Sequence, residues 1–78
     1  MFLEIITPDK KIFSGEVSLV QLPGTDGSFE ILNNHAPIIS TLTKGKIKLV
    51  DAEKATRYFE INSGVVEMQK NKIIVLAE

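Results

Sequence analysis

Apolar and polar residues alternate along much of the chain with the period of two that is typical of β-strands. The clearest case is Lys46–Val50, where the isoleucine and the leucine lie on one side and the two lysines lie on the other. Arg57–Asn62 repeats the pattern, with its phenylalanine and isoleucine predicted to face inward. In Glu16–Leu22 the alternation predicts that Val17, Leu19 and Gln21 face one way and that Ser18, Val20 and Leu22 face the other.

Short turn signals separate the alternating segments. Pro8 and Asp9 end a first apolar segment, and Lys70–Lys72 joins two later ones as a tight turn. Asp51–Ala55 has good helix propensity, but it is too short for an isolated helix, so we expect a hairpin loop there. Turn signals at intervals of roughly 8–12 residues are typical of a β-sandwich or barrel. The pattern predicts an all-β fold with about seven to nine short strands in one domain, residues 1–78.

The stretch Leu22–Pro37 is the most restricted part of the backbone. It holds two of the three prolines, two of the five glycines and the only histidine. Proline fixes its own φ and disfavours helix before it, and glycine permits positive φ. We expect a loop, a short strand at Phe29–Leu32, and a second loop. Such a tightly specified loop indicates a surface that another molecule contacts.

The last segment, Ile73–Ala77, is apolar at both parities. In a simple sandwich one side of such a strand would face water. Two interpretations stay open: either the chain covers both sides itself, or the outer side docks on a second protein.

Composition excludes several classes of function. Nine basic and ten acidic residues give a net charge of −1, with no basic patch to bind nucleic acid. There is no cysteine, so no disulfide framework or thiolate metal site exists, and a reducing compartment is favoured. No apolar run is long enough for a membrane span and no signal peptide is evident, so we expect no membrane insertion. No cofactor is expected.

His35 is the one candidate for catalysis. Asp26 and Ser28 are close to it in sequence, and a Ser-His-Asp device could be imagined. The sequence has no nucleophile elbow and no oxyanion-hole motif, and it lacks the further ligands that a metal site needs. We therefore expect a structural histidine in a non-catalytic protein.

The motifs of the restricted stretch resemble a known family. The pattern Leu-Pro-Gly-x-x-Gly-x-Phe-x-Ile-Leu-x-x-His-Ala-Pro is followed by Leu42–Gly45, Ser63–Glu67 and Val75–Glu78. Together they resemble the N-terminal β-sandwich domain of the epsilon subunit of rotary, F-type ATP synthases. This resemblance implies a flattened sandwich, so we expect about eight to ten short strands in all.

The resemblance also implies partners. Family members sit in the central stalk, bind the gamma subunit, rest on the c-ring and help couple ion flow to ATP synthesis. By position, the c-ring-facing loop would be Asp26, Gly27, Ser28 and Phe29. The gamma-facing residues would be Thr7, His35 and Ser40, joined by the outward residues of the last strand, Ile74 and Leu76. The implied location is peripheral, on the cytoplasmic side of the cell membrane.

Two departures from the family pattern qualify these expectations. Glu30 stands where a small residue is usual, and Asn33-Asn34 stands where Pro-Gly is common. The sequence also ends without the C-terminal helical hairpin of longer members, so we expect neither inhibition nor ATP binding through that element. The alternative function is a free-standing β-sandwich that binds a small ligand or a peptide.

Overall fold

The computed structural model describes residues 1–78 and contains only strands, turns and loops. The all-β prediction is confirmed, and the number of strands, eight, lies within the expected range. The strands are β1 (Phe2–Ile6), β2 (Lys11–Gly24), β3 (Gly27–Leu32), β4 (Ile38–Leu42), β5 (Gly45–Asp51), β6 (Thr56–Ile61), β7 (Gly64–Gln69) and β8 (Lys72–Ala77). They form one hydrogen-bonded sheet that folds over on itself into two layers.

Strand β2 belongs to both layers. Its first half pairs with β1, and its second half pairs with β3 on one side and β5 on the other. A straight strand of 14 residues would be about 45 Å long, whereas the longest dimension of the molecule is 26 Å. The strand must therefore bend, and it carries a bulge between Val17 and Leu19. Beyond the bend, one layer is β1-β8-β7-β4 and the other is β3-β2-β5-β6.

The core lies between the two layers as a single cluster. No side chain in it is polar or charged. Each fully buried leucine or isoleucine contributes roughly 1.5–3 kcal/mol from removal of apolar area from water. The cluster consists of Met1, Leu3, Ile5, Phe13, Val17, Val20, Leu22, Ile31, Leu42, Ile47, Leu49, Ile61, Val66, Met68, Ile73, Val75 and Ala77.

Two predictions about the first part of the chain are wrong. Val17 is buried with Val20 and Leu22, and not grouped with Leu19 and Gln21, because the bulge adds one residue to the strand and reverses the parity before it. The predicted first loop is absent as well. Leu22–Gly24 continues β2, and Thr25 and Asp26 alone make the turn into β3.

The other turn predictions are confirmed. Asp51 organises a hairpin loop, since its Oδ1 accepts N–H bonds from Glu53 and Ala55, both at 2.9 Å. Lys70 and Asn71 join β7 to β8 with φ of 52° and 61°. Two successive positive φ values are the geometry of the tight turns that match the twist of a β-hairpin.

At one edge of the sandwich, an arginine side chain covers the core. Arg57 on β6 is in register with the inward-facing Leu49. Its guanidinium carbon lies 5.3 Å from the ring centre of Phe13 and 5.5 Å from that of Phe59. The cation faces two aromatic rings and covers the apolar edge of the core while it stays in contact with water.

Candidate functional site

The outer side of the β1-β8-β7-β4 layer carries the main apolar surface. Strand register places Ile6, Leu76, Val65 and Thr41 in one row across the four strands. The next row holds Glu4, Ile74, Glu67 and Ile39. Three of these side chains are well exposed: Ile39 at 73%, Leu76 at 56% and Val65 at 41%. We call Ile6, Ile39, Val65, Ile74 and Leu76 the apolar face.

A groove of about 490 Å³ opens at one end of the apolar face. It runs from Ile6 and Thr7 past Leu76 and Val65 to Ser63. Its lining combines exposed branched side chains with hydroxyl and backbone groups, so it can accept an apolar side chain of a partner and offer hydrogen bonds at the rim.

The opposite end of this layer is polar. The Glu4 carboxylate lies 2.6 Å from the Lys11 ammonium and 3.9 Å from that of Lys72. The hydrogen bond from Lys11, with the positive charges of both lysines, holds the pKa of Glu4 below its usual value, although partial desolvation acts against them. The Lys72 ammonium also lies 6.0 Å from the ring centre of Phe2.

The outer side of the β3-β2-β5-β6 layer has a different character. Gln21 stands between Glu30 and Lys48 in one row, and Lys46 is in register with Glu60. We call Gln21, Glu30, Lys46, Lys48 and Glu60 the charged face. Its exposed apolar side chains, Leu32 and Tyr58, lie on two different strands at the sides of this layer.

The predicted c-ring loop is the tip of the β2–β3 hairpin. Asp26, Gly27 and Ser28 are exposed there. The tip is tied to β4, because the Thr25 N–H donates to the Thr41 carbonyl at 3.1 Å and their hydroxyls are 2.8 Å apart. The hairpin is thus a fixed, polar projection at the end of the molecule.

Phe29, the fourth residue of that predicted loop, does not belong to the exposed tip. It pairs with the buried Leu22 and packs against the core. Gly24 leaves room for its ring, since a Cβ at Gly24 would be 2.8 Å from the Phe29 ring and 2.6 Å from the Gly27 carbonyl oxygen. Phe29 is therefore a half-buried residue beside the tip, and its contact with a partner stays a prediction.

His35 lies in an exposed loop, residues 33–37, that connects β3 to β4. Its Nδ1–H donates to the Ala36 carbonyl oxygen at 2.7 Å. The catalytic device considered from the sequence is not assembled, because extended β3 separates Ser28 from Leu32 by about 13 Å and Asp26 lies beyond Ser28 at the hairpin tip.

The predicted gamma-facing residues do not form one surface. Ile74 and Leu76 both point outward on β8, and Thr7 follows Ile6 at the groove. Ser40 is in register with the buried Val66, so its side chain lies on the inner side of β4, away from the apolar face. His35 lies at the other end of the layer from Thr7, near the β7–β8 turn.

Sequence reasoning missed three residues. Ile39 and Val65 complete the apolar face, and period-two alternation within β4 and β7 was the available signal. Asn71 was predicted only as part of a turn, yet its side chain bonds to Asn33 and Asn34. No local pattern could have revealed a contact between residues so far apart in sequence.

The structure brings together no group of three or more histidine, aspartate or glutamate side chains that could hold a metal ion. It also has no helix that could span a lipid bilayer.

Comparison with known proteins identifies the family of the chain. The profile of the family described as “ATP synthase, Delta/Epsilon chain, beta-sandwich domain” matches residues 1–78. The ATP synthase epsilon chain of Chlorobium limicola is 45% identical over 76 residues, which cover 97% of this chain and 86% of that protein. The epsilon chain of Caulobacter vibrioides is 37% identical, with 100% and 90% covered. The epsilon chain of Campylobacter curvus is 41% identical, and the chain spans 60% of its length.

Two solved structures share the fold. A chain of the Euglena gracilis mitochondrial ATP synthase, in an OSCP/F1/c-ring structure, superposes with a TM-score of 0.89 at 16% identity, covering 96% of this chain and 48% of that one. A chain of the Tetrahymena thermophila central stalk/c-ring structure gives 0.80 at 20% identity, covering 99% and 62%. The epsilon-like motifs of Leu22–Pro37 therefore lie in the two-layered β-sandwich for which the family is named, and the chain belongs to the ATP synthase delta/epsilon chain family.

Proposed function

We propose that this protein is a non-catalytic rotor subunit that binds the gamma subunit and the c-ring and helps couple proton or sodium flow to ATP synthesis. It would lie at the cytoplasmic side of the cell membrane as a peripheral part of the complex. The observation that carries the proposal is the apolar face, which lies outside a fully formed core in a member of the epsilon-chain family.

The apolar face supports gamma as the occupant of this layer. Residues Ile39, Val65 and Leu76 are exposed although the core is complete without them. Exposed apolar side chains on three adjacent strands favour a protein-binding surface, where burial of a few central side chains provides most of the affinity.

The hairpin tip supports a second contact of a different kind. Asp26, Gly27 and Ser28 offer a carboxylate, a hydroxyl and free backbone groups. Such groups can form hydrogen bonds with the polar loops of a c-ring. The bonds from Thr25 to Thr41 would keep the tip in position when it binds the ring. Two contacts at different places would let the subunit connect gamma to the ring.

A pair of matched variants tests the gamma contact. Leu76→Asp places a carboxylate on the apolar face, and Leu32→Asp does the same next to the charged face, where the exposure is 51% instead of 56%. We expect Leu76→Asp to weaken binding to purified gamma more than about tenfold, because desolvation of one carboxylate in an interface costs more than 1.4 kcal/mol.

The control should retain gamma within about twofold, which corresponds to less than 0.5 kcal/mol. Circular dichroism of both variants must show the same fold as the parent chain. Equal affinity of the two variants for gamma would contradict the proposed interface.

A further inference from the structure

We draw no further inference here: the strongest candidate, the outer edge of strand β6 (Thr56–Ile61), pairs with β5 on one side only, and nothing in the structure shows what covers its other side.

Discussion

The two outer surfaces of this sandwich are each built from four strands, yet they differ in what they expose. On the apolar face, branched side chains from β1, β8, β7 and β4 stand side by side in register. On the charged face, Glu30, Lys46, Lys48 and Glu60 from β3, β5 and β6 lie around Gln21 of β2, and the exposed Leu32 and Tyr58 are at the sides. A sandwich needs to bury only the inner side of each layer. Apolar residues on an outer side lower the solubility of the protein, so their presence needs another explanation. The contrast supports the proposal that the β1-β8-β7-β4 layer is the one that a partner covers.

The largest expected effect tests whether the apolar face is part of the core. Val75 and Leu76 are neighbours on β8, one fully buried and one exposed. Val75→Asp should cost about 3–5 kcal/mol, because an unpaired carboxylate would be left between the layers. A chain of this size has a total stability of roughly 4–12 kcal/mol.

Leu76→Asp should change the free energy of unfolding by less than about 1 kcal/mol. Urea denaturation followed by circular dichroism measures both variants. If Leu76→Asp unfolded the protein as Val75→Asp does, the apolar face would have to be reassigned to folding.

A second prediction concerns how firmly the apolar face is supported. A Cβ at Gly64 would lie 2.7 Å from the Leu76 carbonyl oxygen, so Gly64→Ala must displace the backbone beneath that residue. We expect a loss of about 1–3 kcal/mol. Gly15→Ala is the control, since its Cβ would meet Phe13 at an ordinary 3.5 Å and neither glycine has a positive φ.

The control should change stability by less than about 1 kcal/mol in either direction. The measurement is the thermal unfolding midpoint of each variant. Equal unfolding midpoints of the two variants would mean that β7 and β8 move apart at little cost and that they do not hold the groove rigidly.

The smallest expected effect is on pH dependence. The pKa of Glu4 is lowered from its ordinary 4.5 by the hydrogen bond from Lys11. The folded state therefore favours the carboxylate, and this contribution is present above the ordinary pKa and is lost as the pH falls through the lowered one. Glu4→Gln should flatten the acid limb of the stability curve.

Lys11→Met should reproduce that change, because Lys11 is the main cause of the shift. The measurement is the urea midpoint from neutral pH down to below pH 4.5. An acid limb that is identical in the parent chain and in both variants would remove this ion pair from the account of stability.

The sequence was informative wherever neighbours along the chain decide the structure. The alternation in Lys46–Val50 predicted β5, and the short polar segment after it predicted a hairpin loop, which Asp51 then organises. The apolar run Ile73–Ala77 predicted a strand and left open whether the chain itself covers both of its sides. Its inward residues, Ile73 and Val75, are fully buried while Leu76 is exposed.

Prediction failed where a single residue or a distant contact decides. One bulge in β2 reversed the orientation of Val17, and period-two reasoning has no means to place such an insertion. Pro23 indicated a loop, but proline fits in β2 because its carbonyl alone is used, as the acceptor for the Thr43 N–H. Ser40 was assigned by resemblance, and strand parity places it on the other side of β4 from the apolar face.

The double membership of β2 has a mechanical consequence. In a sandwich whose layers share no strand, only side-chain contacts and connecting loops join the two layers. Here a single backbone runs from the pairing with β1 on one layer to the hairpin tip on the other. A torque applied to the β1 side would be transmitted to Asp26 through covalent bonds and backbone hydrogen bonds. The two ends of the molecule would therefore move together as one rigid body.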